Sequence, residues 1–319
     1  MPAGKLVTAT ITWLASATVL TMAVAMPAAA DAETTRIPVH VLSQDAKLIG
    51  SGVGGVWVTV TDAATGEVLA QGAHLGATGD TQKIMRLDPQ ERDTVLFDTE
   101  GAAVFVAEFD IDEPTVVRIS ATGPLGNPDA SMRASTEMLV TPGAEVTGDG
   151  VVLTLHGLNI EILEAAAGTA GDPVRVLANV GMMCGCPLTP GGLWDADSVE
   201  LTARLLRDGK LVATGDLGYA GERSRFDGAV TPPEPGAYVL EVIGAQPSKA
   251  NFGRARIPLA IGDCGSTRES SSASSRGRSA RANRADRPRS LRRHAGRGRT
   301  SPARTPACRR LPARPPARR

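Results

Sequence analysis

The chain has 319 residues, 42% hydrophobic and only 3% aromatic, with 34 basic and 34 acidic residues and so no formal net charge. That length suggests about two domains of ~100–200 residues. The zero net charge hides a split: the residues from Arg268 onward hold 17 Arg against Glu269 and Asp286, which leaves 17 basic and 32 acidic residues in the first 267.

At the N-terminus, Lys5 precedes an uncharged apolar run from Leu6 to Met26. Ala28-Ala29-Ala30-Asp31-Ala32 follows, placing small residues at the −3 and −1 positions that signal peptidase reads. Residues 1–30 are therefore expected to be a signal peptide forming an apolar helix, and the chain to be exported to the periplasm or beyond. Membrane contact is expected only if this segment stays uncleaved; its length would suffice to span a bilayer.

Residues 31–160 read as a first β-sandwich. Val56, Val58 and Val60 alternate with Trp57, Thr59 and Thr61, the period of a half-buried strand. Asp62-Ala63-Ala64-Thr65-Gly66 supplies turn chemistry before Glu67–Ala70. Further strands are expected at Ala102–Phe109, Thr115–Ile119 and Val151–Leu155, with loops at Gly76–Gln82 and Pro124–Asp129. The residues GVWVTVTDAATGEVLA (55–70) and FDTEGAAVFVAEF (97–109) resemble the prealbumin-like sandwiches of surface adhesin repeats and carboxypeptidase regulatory domains. The resemblance covers Val53 to Gly123. It implies a scaffold or binding module and carries over no catalytic residue.

Residues 161–170, rich in Ala and Gly, are expected to link this unit to a second sandwich at 171–262. There Val199, Leu201, Ala203 and Leu205 share one strand face. Asp208-Gly209 marks a tight hairpin, because this pair accepts the mirror-image turn. Phe226, Gly228, Pro232, Pro233, Pro235, Gly236, Tyr238, Leu240 and Val242 form a pattern similar to the last strands of bacterial immunoglobulin-like domains. In those the Tyr packs at a sandwich corner. Pro258 argues for an edge position in the last strand, Arg254–Ile261.

Residues 263–319 contain no Val, Ile, Phe, Tyr, Trp or Met and two Leu, too little apolar surface to offset the entropy of ordering. A disordered tail is expected, either a true basic extension or the product of a frameshift in GC-rich DNA. Nucleic acid is not an expected partner, since the tail lacks aromatic residues to stack on bases.

The chemical signal is Met182-Met183-Cys184-Gly185-Cys186-Pro187. Soft sulfur ligands suit copper, so Met182, Met183, Cys184 and Cys186 are candidate metal ligands. In an oxidising compartment the same cysteines are candidates for a disulfide, with each other or with Cys264. A thiol-redox role is the third option. Trp194 either serves in recognition or covers a sandwich end. Asp195, Asp197 and Glu200 lack the spacing of a calcium loop and read as an acidic turn. His40, His74, His156 and Asp80 belong to no catalytic spacing. The expectation is an all-β, non-enzymatic binding or structural protein whose partner is a protein, a polysaccharide or a metal.

Overall fold

The computed structural model describes residues 33–86 and 94–263; the signal peptide and the Arg-rich tail expected from the sequence lie outside them. The described chain is nearly all β, in two adjoining units.

The first unit holds seven strands: β1 (Thr35–Ser43), β2 (Val56–Asp62), β3 (Val68–His74), β4 (Phe105–Phe109), β5 (Thr115–Gly123), β6 (Met132–Val140) and β7 (Val151–Leu155). A short helix, α1 (Thr81–Arg86), follows β3. The strands form two sheets, ordered β4-β1-β7 and β3-β2-β5-β6. Val56, Val58 and Val60 are fully buried, as are Ile37, Val39 and Val41 of the opposite sheet. Each such side chain contributes roughly 1.5–3 kcal/mol on leaving water. The β2–β3 turn closes on Asp62, whose Oδ1 accepts the Ala64 and Thr65 N–H groups at 2.7 and 2.9 Å. Gly66 takes the left-handed backbone, φ 77°, that ends the turn.

The second unit is one eight-stranded sheet ordered β8-β10-β13-β12-β11-β14-β15-β9. Its strands are β8 (Leu158–Ala165), β9 (Gly168–Thr169), β10 (Val174–Met182), β11 (Glu200–Arg207), β12 (Lys210–Tyr219), β13 (Arg225–Val230), β14 (Gly236–Gln246) and β15 (Asn251–Gly262). The sheet folds back on itself: a Cβ on Gly244 of β14 would lie 2.9–3.0 Å from Ile160 and Leu158 of β8. The two ends thus enclose a core of Val176, Ala178, Val180, Leu205, Leu240 and Val242. Asp208 and Gly209 both take positive φ, 52° and 76°, in the β11–β12 hairpin. Tyr238 is buried and its hydroxyl donates to Glu234 O at 2.7 Å. Pro258 lies where β15 has only β14 beside it, since β9 reaches only Ile261 and Gly262.

One expectation is corrected. Most of residues 161–170, read as a linker, belongs to strands: Glu161, Ile162, Glu164 and Ala165 pair with β10, and Gly168-Thr169 pair with β15. The Ala and Gly content there suggested a flexible connector, but a strand's backbone hydrogen bonds do not depend on its side chains. The connection between the units is only His156-Gly157. Gly157 is buried at φ 151°, and a Cβ there would lie 3.1 Å from Met183 Sδ.

Candidate interdomain binding site

Strand β10 ends in the sulfur-rich loop. Met182 N donates to Cys186 O at 3.0 Å and Gly185 N to Met182 O at 2.8 Å, a tight turn that Gly185 permits with φ 75°. Cys184 and Cys186 are joined by a disulfide. Both cysteines weighed from sequence as partners for Cys264 are therefore spent on each other; Cys264 itself lies outside the described residues.

All four sulfur residues are buried: Met182 and Met183 are 0% exposed, Cys184 4% and Cys186 5%. Met182 continues the inward parity of Val176, Ala178 and Val180 in the second core. Alternation predicts the opposite side for Met183, and it is buried because the Gly157 junction lies against it. A disulfide offers no thiolate, which is the form that ligates metals. Among the described residues no three His, Cys, Asp or Glu side chains gather as a metal site.

What the loop does touch is the first unit. A Cβ on Gly185 would lie 2.8 Å from Val53 Cγ1. Around this contact the units are clasped by polar bonds. Asn127 Nδ2 donates to Asn159 Oδ1 at 2.7 Å and to Ile160 O at 2.9 Å. Trp194 Nε1 donates to Asp45 O at 3.1 Å, and Asn251 Nδ2 to Gln44 O at 3.2 Å. Lys249 pairs with Asp45 at 3.2 Å. Trp194, partly buried against the core, is thus a clasp between the units.

Beside the clasp lies a cleft of about 460 Å³, inside the ~300–1,000 Å³ range of small-ligand sites. The first unit contributes Gly54, Gly126 and Asn127, and the second Asn159, Glu161, Asn179 and Gly185. Gly54 and Gly126 are too close to the facing backbone to carry a Cβ: on Gly126 it would lie 2.7 Å from Val53 O. The floor is therefore bare main chain. Asn179 and Glu161 are register partners on neighbouring strands, so they project from the same face. Neither side chain has a hydrogen-bond partner among the described residues.

The remaining candidates have structural duties. His74 is fully buried, its Nδ1 donating to Ile49 O at 3.0 Å and its Nε2 accepting Val41 N–H at 3.2 Å. Burial holds its pKa down at about 4. His40 donates from Nδ1 to Ala103 O at 3.0 Å and packs on Phe97, and burial lowers its pKa too. His156 bonds Ala250 O at 3.2 Å. Asp80 accepts the Gln82 and Lys83 N–H groups at the start of α1, which lowers its pKa. Asp195 accepts Gly191 and Asp197 N–H at 2.9 and 3.1 Å, so its loop is a capped acidic turn. Glu241, 2% exposed, lies between the part-exposed Arg204 at 3.0 Å and Arg256 at 2.6 Å, a cross-strand ion ladder over β11, β14 and β15.

No family model matches the chain. No curated protein matches it. Among solved structures the chain is similar to a marsupial T cell receptor, at 9% identity and a TM-score of 0.22, covering 72% of each chain. It is also similar to the titin domains Z1Z2 in complex with telethonin, at 11% identity and a TM-score of 0.19, covering 72% of this chain and 98% of that one. The strand order and register given above define the fold without them.

Proposed function

We propose that the chain is an exported, non-enzymatic binding protein that takes its ligand in the cleft between its two sandwiches. The observation that carries this reading is the cleft itself: a preformed cavity whose walls come from both units and whose Asn179 and Glu161 side chains have no hydrogen-bond partner among the described residues. The two-residue connection and the clasp of Asn127, Trp194 and Asn251 hold the walls in place, so little ordering cost attends binding. The cleft's side chains are amides and a carboxylate, suited to hydrogen bonding; the buried histidines are committed to backbone partners. Export is supported by the Ala-x-Ala exit after residue 26 and by the disulfide, a bond of oxidising compartments. The Tyr238–Glu234 corner bond supports an immunoglobulin-like second unit, and the Asp62 turn a prealbumin-like first one.

The test is co-sedimentation of the purified chain with the envelope fraction of the producing organism. Saturable retention, abolished by Asn179→Trp in a variant that melts like the parent, is the expected result. Absence of retention, or retention indifferent to that substitution, would overturn the proposal.

The sulfur loop supports a second reading in the reduced chain alone, since four sulfur-bearing side chains are buried within five residues. Copper bound by Cys184, Cys186, Met182 and Met183 would appear as Cu(I) uptake after reduction. No uptake at micromolar Cu(I) would sink it.

A further inference from the structure

We infer that the ligand of the interdomain cleft is an uncharged saccharide; the inference rests on the binding function proposed above and names the ligand's chemistry. The free hydrogen-bonding groups are mixed in kind. Asn127 spends its Nδ2 on Asn159 Oδ1 and Ile160 O, which leaves the Asn127 Oδ1 as an acceptor and the Asn159 Nδ2 as a donor toward the cleft. The Asn179 carboxamide offers one of each, and Glu161 adds a carboxylate. A sugar hydroxyl both donates and accepts, so neighbouring hydroxyls match a row of carboxamides and a carboxylate. The glycine floor lets a ring lie against main chain with no side chain in the way.

The competing ligand classes fit less well. An anion would find no Lys or Arg among the lining residues and would face Glu161. A hard cation wants six to eight oxygens, whereas one carboxylate lines this cleft. A peptide seeks apolar pockets or an open strand edge. Here Val53 is the one large apolar side chain in the lining. β8 is an edge of its sheet, but its Ile160 carbonyl is already taken by Asn127. A neutral ligand, unlike an anion, sets no second negative charge beside Glu161.

The experiment treats the envelope fraction in two ways before co-sedimentation. Periodate cleaves the vicinal diols of sugars; protease removes protein ligands. Retention lost after periodate and kept after protease is expected. Neutral oligosaccharides released from the protease-treated envelope by partial acid hydrolysis should then compete for the chain in solution, which separates recognition of free sugars from recognition of the polymer alone. Asn179→Ala and Glu161→Ala, both at outward strand positions, should each weaken retention about ten-fold or more with unchanged melting. The opposite pattern, retention lost after protease and kept after periodate, would overturn the saccharide while leaving the binding function standing. Unchanged retention in both variants would overturn the site itself.

Discussion

Gly185 and Val53 meet across the junction of the two sandwiches, and a Cβ on Gly185 would lie 2.8 Å from Val53 Cγ1. Gly185 also needs its positive φ of 75° to close the turn between the two cysteines. Gly185→Ala therefore combines backbone strain with a steric conflict and is expected to cost about 1–3 kcal/mol. Chemical denaturation measures it. Val53→Ala removes the contact partner, so in a double-mutant cycle the Gly185→Ala penalty should shrink to its backbone part. Equal penalties in both backgrounds would show that the two residues do not meet.

The disulfide shapes this same wall of the cleft. It closes a loop of two residues' separation, so little unfolded-chain entropy is removed: about 1–2 kcal/mol by loop-closure scaling, below the 2–4 kcal/mol typical of longer loops. Cys184→Ser with Cys186→Ser should lower stability by that amount, read from urea midpoints. The larger effect should fall on binding, because the loop that presents Gly185 loses its covalent tie. A double variant with weakened stability but full envelope retention would separate the disulfide from the cleft.

The hairpins were legible because their signals are local. Asp62–Gly66 and Asp208-Gly209 carry their turn chemistry in consecutive residues, and the Val56, Val58, Val60 alternation needs no partner to be seen. β6 escaped because its two faces contrast weakly: Ala134, Thr136 and Met138 turn inward and Arg133, Ser135 and Glu137 outward. β8 was hidden by the Ala- and Gly-rich stretch at its end. The sulfur loop was visible, though its state was not, since the same spacing serves a disulfide, a metal or a redox pair. The cleft was invisible as a site. Its residues come from near positions 54, 126, 160, 179 and 185, and only the fold brings them together. The one local hint was the glycine-rich run Gly52-Val53-Gly54-Gly55, which becomes part of its floor.

His74 makes the first unit sensitive to acid. Its folded pKa of about 4 lies below the ordinary histidine value of 6.5, so the unfolded chain binds the proton more tightly. Stability contributed by neutral His74 is complete above pH 6.5 and falls as pH drops toward 4, by up to about 3 kcal/mol. His40, lowered by the same burial, acts in the same direction. Urea midpoints at pH 7.5 and 4.5 should differ accordingly. His74→Gln should be less stable at neutral pH and should flatten the pH dependence; a slope identical to the parent's would assign it to other groups.

Trp194 and Asp45 tie the units together through a 3.1 Å bond from the indole Nε1 to the Asp45 carbonyl. Apart from a small cluster of Leu48, Phe97 and Ala103, the buried apolar residues of both units form one continuous cluster, running from Ile37 through Leu155 and Leu158 to Ile261. With only His156-Gly157 between β7 and β8, neither unit can unfold without exposing part of the other's packing. The chain should therefore melt in a single cooperative transition by calorimetry and by tryptophan fluorescence, with coincident midpoints. Trp194→Phe keeps the ring's apolar body and removes the donor, leaving the Asp45 carbonyl without that partner. It should cost about 1 kcal/mol and, if the clasp is what couples the units, broaden or split the transition. Two resolved transitions in the parent chain would show that the junction does not join the units into one folding body.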